Sequence, residues 1–282
     1  MKVTKNKNII LPNPETKNFL ADSFYQESEE KLPLIIFVHG YKGYKDWGAW
    51  DLMAEKFAEA GFFFVKFNFS HNGTTVEDPA NFADLEAFGN NNYSKELSDL
   101  KFVIDYFCKN EKVDSNKITL IGHSRGGGIS IIKTCEDIRI NGLITLASVD
   151  SLERFPKGEA FENWKNKGVY YVENGRTKQQ MPHYYQFFED FETHFHRFDV
   201  ERSMEMAKAH VLIIHGTNDE SVSVKNAEHL HLLNPNTELY LIENANHTFG
   251  AKEPWEENEL PEDMNEVVEK CIDFITEKIV NE

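Results

Sequence analysis

Short apolar runs recur along the chain, with amphipathic stretches between them. Residues 34–38 form a continuous apolar run that ends in His39-Gly40. Further runs follow at 62–69, 117–122, 142–147, 211–216 and 239–243. None alternates with polar residues, which suits strands covered on both faces, as in a parallel sheet. Between them the spacing turns helical. Residues 50–60 place Met53, Phe57 and Ala60 on one face, and Ser94 can cap a helix carrying Leu97, Leu100, Val103, Ile104 and Phe107. Residues 129–135 and 227–233 read as helices, and Asp263-Met264-Asn265-Glu266 resembles a capping box opening a last helix with Val267, Cys271, Phe274 and Ile275 inward. Strands alternating with helices predict an α/β fold, a mostly parallel central sheet flanked by helices with right-handed crossovers. The segment before Leu34 is expected to be irregular or to carry short edge strands.

One stretch breaks this rhythm. From about 149 to 204 there is no parallel-strand run, and aromatics crowd together, among them Phe155, Trp164, Tyr170, Tyr184, Phe188 and Phe198. A structureless loop of that length is improbable inside a compact domain. The stretch is therefore expected to be an inserted cap, helical towards its end, with residues 1–148 and 205–282 forming the core. Its aromatics could line an acyl or aryl pocket, with Tyr170, Tyr184 and Phe188 the candidates, or could be the cap's own core.

Composition narrows the partners. With 47 acidic against 30 basic residues the net charge is -17. That field repels phosphate backbones and anionic lipid, so neither nucleic acid nor a membrane is expected as a partner; the acidity itself reads first as solubility, with a bias against anionic substrates as the alternative. The amino-terminal lysines precede no apolar segment, and no run approaches the ~20 residues of a membrane helix. Cys108, Cys135 and Cys271 are few and far apart, with no CxxC, which suits small buried side chains and a cytoplasmic setting.

The chemistry concentrates in three short segments. Gly122-His123-Ser124-Arg125-Gly126 fits G-x-S-x-G between an expected strand and an expected helix. Such a turn lifts a serine hydroxyl clear of the sheet and brings the following N–H, that of Arg125, towards an oxyanion. A serine hydroxyl needs a base. His247 lies in a polar loop after the run at 239–243, while His215 ends a buried strand and reads as structural; His123 is expected to point away from the nucleophile. Asp219, in the turn after the run at 211–216, can orient the base, with Glu220 its rival. The second oxyanion donor belongs in His39-Gly40-Tyr41-Lys42-Gly43, and the N–H of Tyr41 is the choice.

With His39-Gly40-Tyr41, the serine motif, His215-Gly216-Thr217-Asn218-Asp219 and Asn246-His247-Thr248-Phe249, the chain resembles the α/β-hydrolase superfamily over about residues 30–280, cap excluded. Within it the chain is similar to small serine esterases and acyl hydrolases, the dienelactone-hydrolase-like and cinnamoyl/feruloyl-esterase-like groups. It lacks the cysteine nucleophile of true dienelactone hydrolases, the aspartate of dehalogenases and the HGGG oxyanion loop, and 282 residues are too few for the propeller of prolyl oligopeptidases. The resemblance implies a carboxylic-ester hydrolase working on a small molecule through an acyl-enzyme, with no metal or organic cofactor. A thioesterase or small serine peptidase, and a slow-turnover or non-enzymatic binding module, are the alternatives. His194-Phe195-His196 and His229-Leu230-His231 lack further ligands at metal-site spacing and read as surface or packing residues.

Overall fold

The computed structural model describes residues 2–281. Two antiparallel strands, β1 (Val3–Leu11) and β2 (Phe19–Gln26), open the chain, followed by β3 (Leu32–Val38), α1 (Trp50–Glu59) and β4 (Phe63–Phe67). Next come α2 (Leu85–Gly89), α3 (Tyr93–Phe107), β5 (Val113–His123), α4 (Arg125–Glu136) and β6 (Ile140–Leu146). The stretch between β6 and β9, expected to be an insertion, holds α5 (Glu159–Lys167), a hairpin of β7 (Val169–Glu173) and β8 (Gln180–Tyr184), α6 (Gln186–Thr193) and α7 (Val200–Met206). The core resumes with β9 (His210–Gly216), α8 (Lys225–Leu233), β10 (Glu238–Ile242) and α9 (Glu262–Ile275).

Eight strands form one sheet in the order β1-β2-β4-β3-β5-β6-β9-β10. β2 runs antiparallel to its neighbours, and from β4 to β10 every pairing is parallel. Alternate residues of β3 face opposite cores. Leu34, Ile36 and Val38 pack with α3 and α4, whereas Ile35 and Phe37 pack with α1 and α9. Both faces are dry, which is why these strands read as unbroken apolar runs. The register pairs Val38 with Gly122, His123 with Leu146, and Ile242 with Gly216. The carboxyl ends of β3, β5, β6, β9 and β10 therefore share one edge, and the loops leaving them converge there.

Several local expectations change. Of the two forms expected for the amino-terminal segment the structure shows strands, longer than anticipated: nine residues at the sheet edge paired with eight. Its pattern is hidden because β2 buries Asp22 among apolar residues. The Asp22 carboxylate, with Asp46 and Asp51, makes the group of acids among the described residues close enough to hold a cation. The ammonium groups of Lys7, Lys45 and Lys66 already bridge all three, so paired burial and not metal binding explains the cluster. Asn92, not Ser94, caps α3, accepting the Lys95 N–H at 3.0 Å; the Ser94 hydroxyl donates to Asp190 instead. α9 starts at Glu262 without a side-chain cap. Cys271 is buried and Cys108 half-buried, but Cys135 is exposed; all three are free thiols. No helix among the described residues is long and apolar enough to cross a membrane.

The insertion carries its own small core. Trp164 is buried, donates its indole N–H to the carbonyl of His183 at 2.8 Å and packs against Phe155, Phe161, Tyr170, Tyr185 and Phe188. Val200 and Met204 of α7 join the main core beneath it.

Candidate active site

β5 ends at His123, and α4 begins at Arg125, so Ser124 alone makes the turn. It sits at φ 56°, ψ -122°, a left-handed conformation that an L side chain adopts only under constraint. Its N–H donates to the Leu146 carbonyl at 2.9 Å, and its carbonyl accepts from Gly127 at 3.0 Å. Close approach fixes the rest: a Cβ at residue 126 would lie 2.2 Å from the Val38 carbonyl oxygen, and one at residue 40 would lie 2.9 Å from Ser124 Cβ. Glycine is required at both positions for the loop after β3 to touch the nucleophile.

That loop orients a donor. The Gly40 carbonyl accepts from His39 Nδ1 at 2.9 Å and from the Gly43 N–H at 3.0 Å. A trans peptide points its C=O and N–H in opposite directions, so tying back the carbonyl turns the Tyr41 N–H away from those partners. The Arg125 N–H, first in α4, has no helical acceptor. The Tyr41 hydroxyl bonds His183 Nε2 at 2.9 Å.

Asp219 follows β9, and its carboxylate is fully buried. Its Oδ2 accepts from His247 Nδ1 at 2.7 Å and faces His215 Nε2 at 3.2 Å; its Oδ1 accepts the N–H groups of Ser221 and Val222, both at 2.8 Å. Burial opposes the charge, but the bonds from His215, His247 and Val222 outweigh it and hold the carboxyl well below the usual range. Glu220 is exposed to solvent. His215 therefore supports Asp219 and also bonds the Val222 carbonyl at 2.9 Å.

His123 has a place the sequence did not reveal. Its ring lies 4.8 Å from that of His247, and its Nε2 donates to the His247 carbonyl at 2.9 Å. Burial keeps it neutral, pushed down to about 3, and it anchors the loop that carries His247. No local pattern signals this, because the acceptor is a main-chain carbonyl 124 residues away.

Ser124 and His247 line two cavities. A smaller one of about 160 Å³ lies against Gly40, Trp47, Trp50 and His123. A larger one of about 490 Å³ opens under the insertion, with Tyr41, Tyr93, Tyr170, His183 and Phe187 in its wall. Tyr170 stacks on His183, ring centroids 4.6 Å apart. Tyr184 and Phe188 lie outside both cavities. Tyr184 bonds Glu86 and lies against Gly89, and Phe188 belongs to the aromatic cluster around Trp164. His229 bonds Asp150 and His231 bonds Thr237, while the His196 ring lies on Phe195.

A family model for the prolyl oligopeptidase family matches residues 53–273, most of the chain. The chain belongs to the prolyl oligopeptidase family. It is a hydrolase of the α/β-hydrolase type. Two solved structures share the fold nearly end to end. Est1E from Butyrivibrio proteoclasticus, solved with ferulic acid bound, is 19% identical with a TM-score of 0.71 over 96% of this chain and 99% of its own. DcsB, solved with a substrate analogue, is 16% identical with a TM-score of 0.74 over 98% of this chain and 100% of its own. The quorum-quenching protein AidA of Acinetobacter baumannii (strain MDR-ZJ06) is 25% identical over 118 residues; the match spans 42% of this prolyl oligopeptidase family member but only 36% of AidA.

His39 gives the family member's site a pH signature. Burial holds its ring neutral, pushed down to about 4, despite the bond to Gly40. An unfolded histidine titrates near 6.5. Between those values the unfolded chain binds a proton that the folded chain does not, so stability falls as pH falls, by about 1.4 kcal/mol per pH unit for each such group. Buried Asp99, pushed up to about 6, works in the opposite direction and partly masks the slope. The variant difference isolates it. His39→Gln should be less stable than the parent at pH 7, and that deficit should shrink by about 2–3 kcal/mol by pH 4.5. Urea unfolding at both pH values measures it, and a constant deficit would refute it.

Proposed function

We propose that this protein is a serine carboxylesterase acting through Ser124, His247 and Asp219. The observation that carries the reading is the 2.7 Å Asp219–His247 bond, beside the same two cavities that a strained Ser124 lines. Asp219 fixes the proton of His247 on Nδ1, which leaves Nε2 as the base. His247 takes the Ser124 proton as the hydroxyl attacks the ester carbonyl. The N–H groups of Tyr41 and Arg125 hold the oxyanion, and the alcohol leaves with the proton from His247. Water, activated by the same histidine, then releases the acid. The substrate is a small molecule, nucleic acid and membranes are not partners, and the setting is cytoplasmic, in keeping with three free thiols. The chemistry needs no cofactor.

A panel of 4-nitrophenyl acetate, butyrate, octanoate and cinnamate esters tests this, with an acyl-CoA and an aminoacyl 4-nitroanilide in parallel. Turnover of the anilide alone would favour the peptidase reading, which the family name supports; turnover of the thioester alone would favour a thioesterase. Absence of fluorophosphonate labelling at Ser124 would favour a binding module. The cinnamate ester belongs in the panel because the neighbour Est1E was solved with ferulic acid.

The insertion should set selectivity where it faces the cavity and stability where it does not. Tyr170→Ala removes cavity wall and should lower cinnamate relative to acetate turnover by about tenfold, at ~25 cal/mol per Å² of lost apolar contact. Phe188→Ala should scale all four esters alike and instead cost about 2 kcal/mol of stability. If Phe188→Ala alters the ester profile and Tyr170→Ala does not, the two assignments are reversed.

A further inference from the structure

The larger cavity has a charge opposite to that of the protein. Among the described residues its lining contains three cationic side chains, Lys42, Arg125 and Arg154, and no carboxylate. The whole chain carries 47 acids against 30 bases, so a wall without acids runs against composition.

The three cations differ in how they are held. Arg125 donates to buried Glu96 at 2.6 Å, which offsets its charge, and its guanidinium lies over the ring of Tyr41 at 5.0 Å. That contact uses one of five N–H donors. Lys42 has no carboxylate partner among the described residues. It is half-buried, held at φ 57° one residue after the proposed oxyanion donor, with its Nζ 5.1 Å over the Tyr41 ring. Burial without an acid draws its titration downward. Arg154 is exposed, with its charge felt at the Tyr93 hydroxyl and, among the described residues, no carboxylate paired with it. After the Arg125–Glu96 pair cancels, two positive charges remain in an aromatic-walled space next to Ser124.

Distance reconciles this with a net charge of -17. Charges spread over the surface are screened beyond about 8 Å at physiological salt, whereas cations inside a low-dielectric cavity act on a ligand at contact. An unpaired ammonium in a partly dry wall is costly unless its ligand supplies the counter-charge.

We infer that the substrate is an ester carrying a free carboxylate, which Lys42 and Arg154, with the spare donors of Arg125, bind in the larger cavity while its apolar spacer lies along Tyr93, Tyr170 and Phe187. This deepens the esterase reading and rests on it for the hydrolytic step.

Matched pairs of esters test it. Mono-4-nitrophenyl adipate is compared with 4-nitrophenyl hexanoate, placing the carboxylate on the acyl half. 4-Acetoxybenzoate is compared with 4-acetoxytoluene, placing it on the alcohol half. In about 20 mM salt the anionic member of one pair should have a kcat/KM at least about tenfold higher, and the pair that responds identifies the half. The ratio should fall towards one in about 0.5 M salt, and in Lys42→Gln and Arg154→Gln, most of all in the double variant. Equal rates within both pairs, or neutral esters preferred, would overturn the inference while leaving the esterase reading intact. A ratio unchanged in the double variant would also overturn it. If no ester is hydrolysed and fluorophosphonate fails to label Ser124, the esterase reading falls. Calorimetry on Ser124→Ala then decides the anion site by itself: adipate monoester binding at least about tenfold tighter than the hexanoate ester upholds it, and equal binding ends it.

Discussion

Replacing Ser124 by alanine is expected to lower ester hydrolysis by about 10⁴-fold or more and to leave the protein folded. Among the described residues the Ser124 hydroxyl holds nothing in place: it is the main-chain N–H and carbonyl that bond Leu146 and Gly127, and alanine keeps both. A second substitution separates chemistry from strain. At φ 56°, ψ -122° a side chain is forced into a region that glycine enters freely. Relief of about 1–3 kcal/mol of strain is set against about 0.5–1 kcal/mol for the extra freedom of glycine in the unfolded chain. Ser124→Gly should therefore be as inactive as Ser124→Ala yet more stable, by about 1 kcal/mol. Urea midpoints rank the three proteins. A glycine variant less stable than the alanine variant would mean that the turn holds no strain, and an alanine variant keeping a tenth of the parent's activity would remove Ser124 from the mechanism.

What the sequence exposed and what it hid have physical causes. β3, β4, β5, β6 and β9 are visible as apolar runs because both faces of each are covered, and the edge strand β10 is visible although Leu241 stays exposed. The positions of Ser124, Asp219 and His247 at one sheet edge followed from the ends of those runs. β2 escaped notice because Asp22 lies in its middle, and a buried carboxylate reads as a surface residue until its lysine partners, drawn from residues 7, 45 and 66, are known. The β7–β8 hairpin was hidden for another reason. Val169-Tyr170-Tyr171-Val172 is an apolar run of only four residues, and its partner strand Gln180–Tyr184 mixes polar and apolar side chains, so no second run marks the pair. Aromatic density marks out the stretch between β6 and β9 but does not say which rings face the cavity. Tyr170 does, together with its cross-strand partner His183, while Tyr184 pairs with Val169 one position along, so the pleat puts it on the ribbon's other face, towards Glu86. The cationic wall was equally out of reach, since Lys42, Arg125 and Arg154 meet only in the folded chain and sit within a composition that suggests the reverse.

Asp219→Asn is expected to lower activity by about 10⁴-fold near neutral pH with little change in the fold, because the amide cannot serve both sides of the site. In one orientation its oxygen replaces Oδ1 and keeps the N–H groups of Ser221 and Val222, both at 2.8 Å. Its NH₂ then faces His247 Nδ1 and His215 Nε2, where the carboxylate accepted at 2.7 and 3.2 Å. His247 must accept at Nδ1, its proton moves to Nε2, and the ring can no longer take a proton from Ser124. His215 retains the Val222 carbonyl and is little disturbed. The flipped orientation would restore the tautomer, but it sets NH₂ against two backbone N–H groups in a buried turn, at about 1–3 kcal/mol for each donor left unpaired. The inactive orientation therefore prevails. Glu220→Gln touches none of these bonds, lies in solvent, and should change kcat/KM less than about threefold. Steady-state kinetics on the two variants, with far-ultraviolet circular dichroism as the check on folding, decide the matter: a larger loss at 220 than at 219 would transfer the acid's role to Glu220 and break the triad proposed here.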